Sequence, residues 1–338
     1  MLEAIEVRGN DEQRQFAALI AEQAASYRAE RVAQAPEAGL LIAPLLQTTP
    51  SGPKREVYDA AGGTDLPGKL VRSEGEDPAG ETAVDEAYDG AGETYSFFSE
   101  QYGRDSVDGV GLTLKSSVHV GKGLDNAFWN GQQMAYGDGG MIFKALTGSL
   151  AVIGHELSHG VVQFSGGLVY RDQAGALNES LADVFGALVA QRRAGESAAD
   201  ASWLVGEGIL RDDVTGEALR SLKAPGTAYD DDVLGTDPQP FHMDDYVTTN
   251  ADKGGVHINS GIPNHAFYLL AQYLGGNAWE KAGQIWYDGL QAINNPHATF
   301  SDWAAQTVAS AGERFGAGSR EVLLTRRSWK LVGVEIAT

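Results

Sequence analysis

The sequence predicts an α+β protein whose strands come early in the chain and whose helices come late. Three observations carry this. Short β-prone runs separated by Gly, Pro and Asp turns fill residues 56–150, and helical spacing dominates beyond about residue 170. A separate stretch rich in Ala, Glu, Gln and Arg precedes both. With 338 residues, 43% of them hydrophobic, the chain can bury a large core or two domains.

Taken in order, residues 11–35 set Phe16, Leu19, Ile20 and Tyr27 at helical spacing and predict one or two amphipathic helices. Pro36, the apolar run Leu40-Leu41-Ile42, Pro44 and the pair Leu45-Leu46 break that pattern, and residues 47–55 have the composition of a linker. The β-prone runs are 56–58, 69–72, 111–114 and 117–120, with a helix predicted over 82–102 and a further strand over 126–136. Helices are then predicted over 149–164, 179–191, 262–274, 278–293, 300–315 and 319–332. The helix at 262 carries Pro263 in its first turn, where a missing N–H leaves no partner unsatisfied.

No cysteine occurs, so no disulfide staples the fold. A formal net charge of −21 argues against nucleic acid and anionic membrane as partners. No apolar run approaches the ~20 residues of a spanning helix. The first residues, Met1-Leu2-Glu3-Ala4-Ile5-Glu6, are acidic and lack the apolar core of a secretory signal.

The chemistry centres on Gly154-His155-Glu156-Leu157-Ser158-His159-Gly160. Residues four apart on a helix lie about 40° from one another, so His155 and His159 face one metal ion. Apolar runs on both sides bury that helix, and buried charged groups need a metal or partner to offset the cost. Glu156 is placed to hold a water against the metal rather than to bind it. A catalytic zinc needs a third protein ligand and an open fourth position. In Asn178-Glu179-Ser180-Leu181-Ala182-Asp183 the two acids are again four apart, which makes Glu179 the natural third ligand. Asp183 would then accept the free ring N–H of His155, and Asn178 would support His159.

These blocks resemble the thermolysin-type neutral metalloproteases, the gluzincins with a distant glutamate ligand. Asn126-Ala127-Phe128-Trp129-Asn130-Gly131 resembles the family's substrate-pairing edge strand. Gly254-Gly255-Val256-His257-Ile258-Asn259-Ser260-Gly261 resembles the block holding its transition-state histidine. The resemblance covers roughly residues 55–338 and implies a two-lobed zincin fold. A β-rich catalytic lobe (55–164) and a helical lobe (165–338) would enclose the active site, after an inhibitory propeptide (1–54). The missing secretory signal and the short leading segment resemble the protealysin-like branch. A Pro-Pro-Tyr element of that branch is not seen before Met1-Leu2, whether lacking in this branch or truncated.

The implied function is zinc-dependent endopeptidase action on proteins and peptides, with one Zn2+ per chain. Glu156 would move the proton, and His257 and Tyr170 would donate to the oxyanion, with Asp252 orienting His257. Asn126 and Ala127 would bind the substrate backbone and Arg220 its carbonyl. Phe143, Leu146, Val152 and Leu219 would line an apolar pocket, implying cleavage N-terminal to large apolar residues. Phe128 and Trp129 read as core packing, and His119, His242, His265 and His297 as structural. The Asp230-Asp231-Asp232 run reads as a solvated loop.

One departure stands out. At the positions of the family's double calcium site this chain has Ala151, Ala190, Ser202 and Leu204, with only Glu207 acidic, so calcium is not expected there. The expected state is a monomer, secreted by an unidentified route or cytoplasmic as an inactive precursor. Two rival readings are a zinc-bound inactive module and an aminopeptidase. The first leaves Glu156, Tyr170 and His257 without a task, and no exopeptidase signature supports the second.

Overall fold

The computed structural model describes residues 1–34 and 50–337. The expected contacts through Leu40-Leu41-Ile42 and Leu45-Leu46 lie outside the described residues. The N-terminal helices are α1 (Leu2–Arg8) and α2 (Asp11–Gln34). The first lobe follows with β1 (Arg55–Asp59), β2 (Lys69–Ser73), α3 (Thr82–Tyr102), β3 (Leu114–Val118), β4 (Ala127–Trp129) and β5 (Met134–Tyr136).

Its sheet has the order β2-β1-β3-β5-β4. β1 and β5 run parallel to β3, and the outer pairs β1–β2 and β4–β5 are antiparallel. The runs expected at 111–114 and 117–120 form a single strand. The stretch expected as one strand over 126–136 is a hairpin, because the Asn130 side chain accepts the Gln132 and Gln133 amides at 3.0 Å and turns the chain. That hairpin leaves β4 at the sheet edge.

The second half contains α4 (Leu150–Gln163), α5 (Asp172–Ala194), α6 (Asp252–Asn259), α7 (Gly261–Leu274), α8 (Lys281–Ala292), α9 (Phe300–Phe315) and α10 (Arg320–Leu331). Helix α5 starts seven residues before the predicted 179. The lobe that follows α4 is not wholly helical. β6 (Leu204–Val205) pairs with β7 (Arg220–Ser221), and β8 (Asp230–Asp231) with β9 (Gly235–Thr236). Asp231 is therefore no free loop residue, since its carboxylate accepts the amides of Thr215, Val233 and Leu234 and shapes the turn.

Helix α3 ties the lobes together. Its Phe98 packs on Phe185 of α5 with ring centres 5.3 Å apart, and its Tyr102 stacks on Tyr287 of α8 at 4.4 Å. The helical core closes around Trp286 and Trp329, stacked at 5.7 Å.

The N-terminal helices touch both lobes. Phe16 and Ile20 of α2 pack with Phe128 of β4, Ala135 of β5 and, between β3 and β4, Val120 and Leu124. Ala17 and Ile20 are buried, which turns the adjacent Leu19 outward at 46% exposure. From α1, Ala4 and Arg8 lie against Gly235 in the β8–β9 hairpin. Residues 51–54 belong structurally to the sheet lobe. The Ser51 amide reaches Asp105 Oδ2 (3.2 Å), the Gly52 amide reaches the Tyr95 hydroxyl (3.0 Å), and the Leu114 amide donates to the Lys54 carbonyl (2.7 Å).

Candidate metal centre and active site

Helices α4 and α5 meet backbone to backbone. A Cβ on Gly154 would stand 3.1 Å from the Gly186 Cα, and one on Gly186 would stand 2.8 Å from the His155 nitrogen. This close approach brings Glu179 and Asp183 of one helix within reach of both histidines of the other.

His155, His159 and Glu179 are buried, and their candidate ligand atoms lie within 4.8 Å of one another. His155 Nε2 is 3.5 Å from Glu179 Oε2, and His159 Nε2 is 3.4 Å from Glu179 Oε1. The far ring nitrogens are engaged elsewhere. His155 Nδ1 stands 2.8 Å from Asp183 Oδ1, and His159 Nδ1 stands 2.8 Å from Asn178 Oδ1. Asn178 in turn donates to the Leu168 carbonyl at 3.1 Å, which orients its amide. Two imidazole Nε2 atoms and a carboxylate therefore converge in a buried space, a donor set that fits zinc. Among the described residues no other such group of three occurs.

Glu156 stands beside this set. Its Oε1 is 3.9 Å from His155 Nε2, while its Oε2 accepts the Trp129 amide at 3.1 Å. Trp129 was expected only to fill the core. Its ring does so, but its backbone also reaches the active-site carboxylate.

Tyr170 and His257 form the facing wall. The tyrosine hydroxyl donates to Glu179 Oε1 and lies 3.1 Å from His257 Nε2. Asp252 holds His257 twice, taking its amide on Oδ2 and contacting Nδ1 from Oδ1, both at 2.7 Å. The local backbone makes this grip. Asp252, Lys253, Gly254 and Gly255 all have positive φ (47°, 50°, 93° and 75°), curling Asp252 back under the histidine. The Gly254-Gly255 pair is the sequence signal for that curl.

Electrostatics support the same grouping. Burial alone would raise the Glu179 pKa, but His257, His159, His155 and Arg220 outweigh it and hold the carboxyl well below its ordinary range. Asp183 behaves alike, with Arg220 and His155 overcoming its burial. For His257, burial favours the neutral ring, yet Glu179 and Asp252 carry its pKa above the ordinary value. Its side chain remains 37% exposed.

Arg220, expected to meet the substrate carbonyl, is anchored on Asp183 by a fork of contacts at 2.7–3.0 Å. The same carboxylate thus fastens His155 and Arg220. Asn264, not singled out by sequence reasoning, adds a third partner to it at 2.9 Å.

The β4 edge refines the roles of Asn126 and Ala127. The Gly137 amide occupies the Asn126 carbonyl, and the Asn130 amide bonds the Gln133 carbonyl. By alternation along the pair, Ala127 and Trp129 turn their backbone groups outward. Phe143, Leu146 and Val152 are buried, and Leu219 is partly buried against the same cluster. Asp125, also missed in the sequence, accepts the amides of Met141, Ile142 and Phe143 at 2.6–3.0 Å and folds that wall against β4.

A peptide added to β4 would run past Glu156 and the His-His-Glu set, which is the layout of a metallopeptidase. Two family models match consecutive parts of the chain, the thermolysin metallopeptidase catalytic domain over residues 46–163 and its alpha-helical domain over 166–334. The chain belongs to this thermolysin family and is a zinc metalloendopeptidase of that type. It is 51% identical over 284 residues to an extracellular metalloprotease of Pectobacterium carotovorum subsp. carotovorum, covering 83% of this chain and 81% of that one. With protease PrtS of Photorhabdus sp. (strain Az29) the identity is 49%, covering 83% and 76%. A solved structure of the precursor of protealysin from Serratia proteamaculans superposes with a TM-score of 0.86 at 47% identity, covering 98% and 97%. The N-terminal helices thus correspond to those of a precursor. No described helix is long and apolar enough to cross a membrane.

Proposed function

We propose that this enzyme cleaves peptide bonds N-terminal to large apolar residues and is made as a latent precursor. The contact between Glu156 and the Trp129 amide carries the reading, because it joins the proton-handling carboxylate to the strand on which a substrate lies. When bound by His155, His159 and Glu179, zinc supplies a water of lowered pKa and a charge that polarises the scissile carbonyl. Glu156 takes the proton of the attacking water and delivers it to the leaving amine. Tyr170 and His257 donate to the oxygen that becomes negative, and Asp252 orients His257 and favours its charged form. Asn126 by side chain, Ala127 by backbone, and Arg220 from its Asp183 anchor hold the peptide. Phe143, Leu146, Val152 and Leu219 receive the apolar side chain.

The segment before the sheet lobe is the intramolecular inhibitor. Support comes from α1 resting on the β8–β9 hairpin while α2 rests on the sheet beside β4, so one segment spans both lobes. The contacts of residues 51–54 favour its boundary at Ser51 rather than Arg55. The lobes then divide near residue 164, at the end of α4. The relative named extracellular supports export. Calcium has no double site, since Ala151, Ala190, Ser202 and Leu204 offer no carboxylate and Glu207 is exposed and bonded to Ser202.

The test separates base from ligand. Glu156→Gln should keep one zinc and lose nearly all hydrolysis of casein, whereas Glu179→Gln should lose both. Substantial turnover by Glu156→Gln would remove the proton-transfer role.

A further inference from the structure

The ring of His257 can serve an oxyanion only if its backbone is held, and contacts hold that backbone from two sides. Asp252 grips the amide side. On the other side the His257 carbonyl accepts Gln239 Nε2 at 2.7 Å and the Ser260 hydroxyl at 3.1 Å. The same Gln239 nitrogen lies 2.9 Å from Ser260 Oγ, so the three groups form one knot.

Gln239 comes from a different part of the chain, the stretch after β9. Its backbone has little freedom. Pro238 and Pro240 flank it, and a residue before proline is itself restricted. The Asp237 carboxylate accepts the Gln239 amide at 3.1 Å together with the amides of Gly226 (3.0 Å) and Ala228 (3.2 Å). The side chain is only 5% exposed. A Cβ on Gly261 would stand 2.5 Å from the Pro240 carbonyl oxygen, so the stretch lies directly against the first residue of α7. A rigid, buried amide therefore runs from the β7–β9 region to the carbonyl of His257.

We propose that Gln239 is a positioning residue for His257, a strut that keeps Nε2 beside the Tyr170 hydroxyl where the oxyanion forms. It touches no substrate and acts by fixing the turn that carries the ring. The inference rests on the oxyanion role proposed for His257.

The experiment uses purified, active, zinc-loaded enzyme carrying Gln239→Met, which keeps length and removes the donors, beside Ser260→Ala and His257→Ala. Readouts are kcat and KM on a neutral blocked dipeptide, melting temperature, and inhibition by two probes. One is a phosphonamidate peptide, which presents a tetrahedral anion to the site; the other is a thiol peptide, which does not. Gln239→Met should lower kcat by about 10- to 100-fold, the scale of a small misplacement of a catalytic group. KM should stay within about twofold. Phosphonamidate binding should weaken with kcat, while thiol binding holds. Ser260→Ala, which leaves the Gln239 bond in place, should cost less. Unchanged kcat and phosphonamidate binding in Gln239→Met, or equal weakening of both inhibitors, would overturn the strut. If His257→Ala itself leaves kcat intact, the oxyanion reading falls and the strut with it. Should Gln239→Met fail to fold, Gln239→Asn, one methylene shorter, is read in the same way.

Discussion

Asp183→Asn is the perturbation that most directly tests how the metal helix is held. Asp183 is fully buried and meets Arg220 through three contacts, Asn264 through one and His155 Nδ1 through another. Asparagine keeps the shape but removes the charge, and its NH2 must face Arg220 together with a donor on either His155 or Asn264. Arg220, with its side chain 15% exposed, is then left without its counter-ion. Breaking a buried pair from one side costs about 3–5 kcal/mol. For a lobe the size of residues 165–338, that is a fall of roughly 6–20 °C in melting temperature. Zinc affinity should also drop about 10- to 100-fold, because His155 loses the acceptor that sets its tautomer.

Melting of the zinc-free protein and zinc titration against a competing chelator measure the two effects separately. The double variant Asp183→Asn/Arg220→Met should be less damaging than the two single changes added together, since no orphan charge remains. pH gives an independent check. Burial would raise the Asp183 pKa, but Arg220 and His155 bring it below the ordinary 3.8. Its contribution is therefore complete above that value and drains as the pH falls below it, so from about pH 4 downward the wild type should lose stability faster than the variant. A zinc-free melting point and a zinc affinity both unchanged in Asp183→Asn would refute the reasoning.

Three further outcomes are expected. Excess calcium against a calcium-selective chelator that spares zinc should leave the melting temperature nearly unchanged; a rise above about 5 °C would mean another calcium site has formed. Phe16→Ala/Ile20→Ala should loosen α2 from the sheet lobe, by about 2–5 kcal/mol for buried Ile20 and less for partly buried Phe16, and raise casein hydrolysis by the unprocessed full chain, made comparable by confirming intact mass. Residues 51–338 should melt above residues 55–338, because removal of Ser51 and Gly52 strips hydrogen bonds from buried Asp105 and from Tyr95. Equal melting points would return the boundary to Arg55.

The legibility of this protein divides along a physical line. Groups that meet through local geometry could be read from the residues. A helix places His155 with His159, and Glu179 with Asp183, on single faces whatever surrounds them, so the metal set and its supporting acid followed from spacing. The separation of a strand-rich half from a helical half was visible in the same way, as a change of hydrophobic period.

What depends on contacts between distant segments was decided by the tertiary structure. The turn at Asn130 made one expected strand into a hairpin and thereby chose which backbone groups face a substrate. Asp183 served Arg220 and Asn264 as well as His155, because the packing of α5 against β7 and α7 put all of them around one carboxylate. Gln239 and Asp125 carry no local pattern at all. Their work is to bond backbone amides and carbonyls far along the chain, and any residue of their type would look the same in sequence. The N-terminal helices were legible as helices, but that α1 reaches one lobe and α2 the other is a matter of which apolar faces remain uncovered once both lobes have formed.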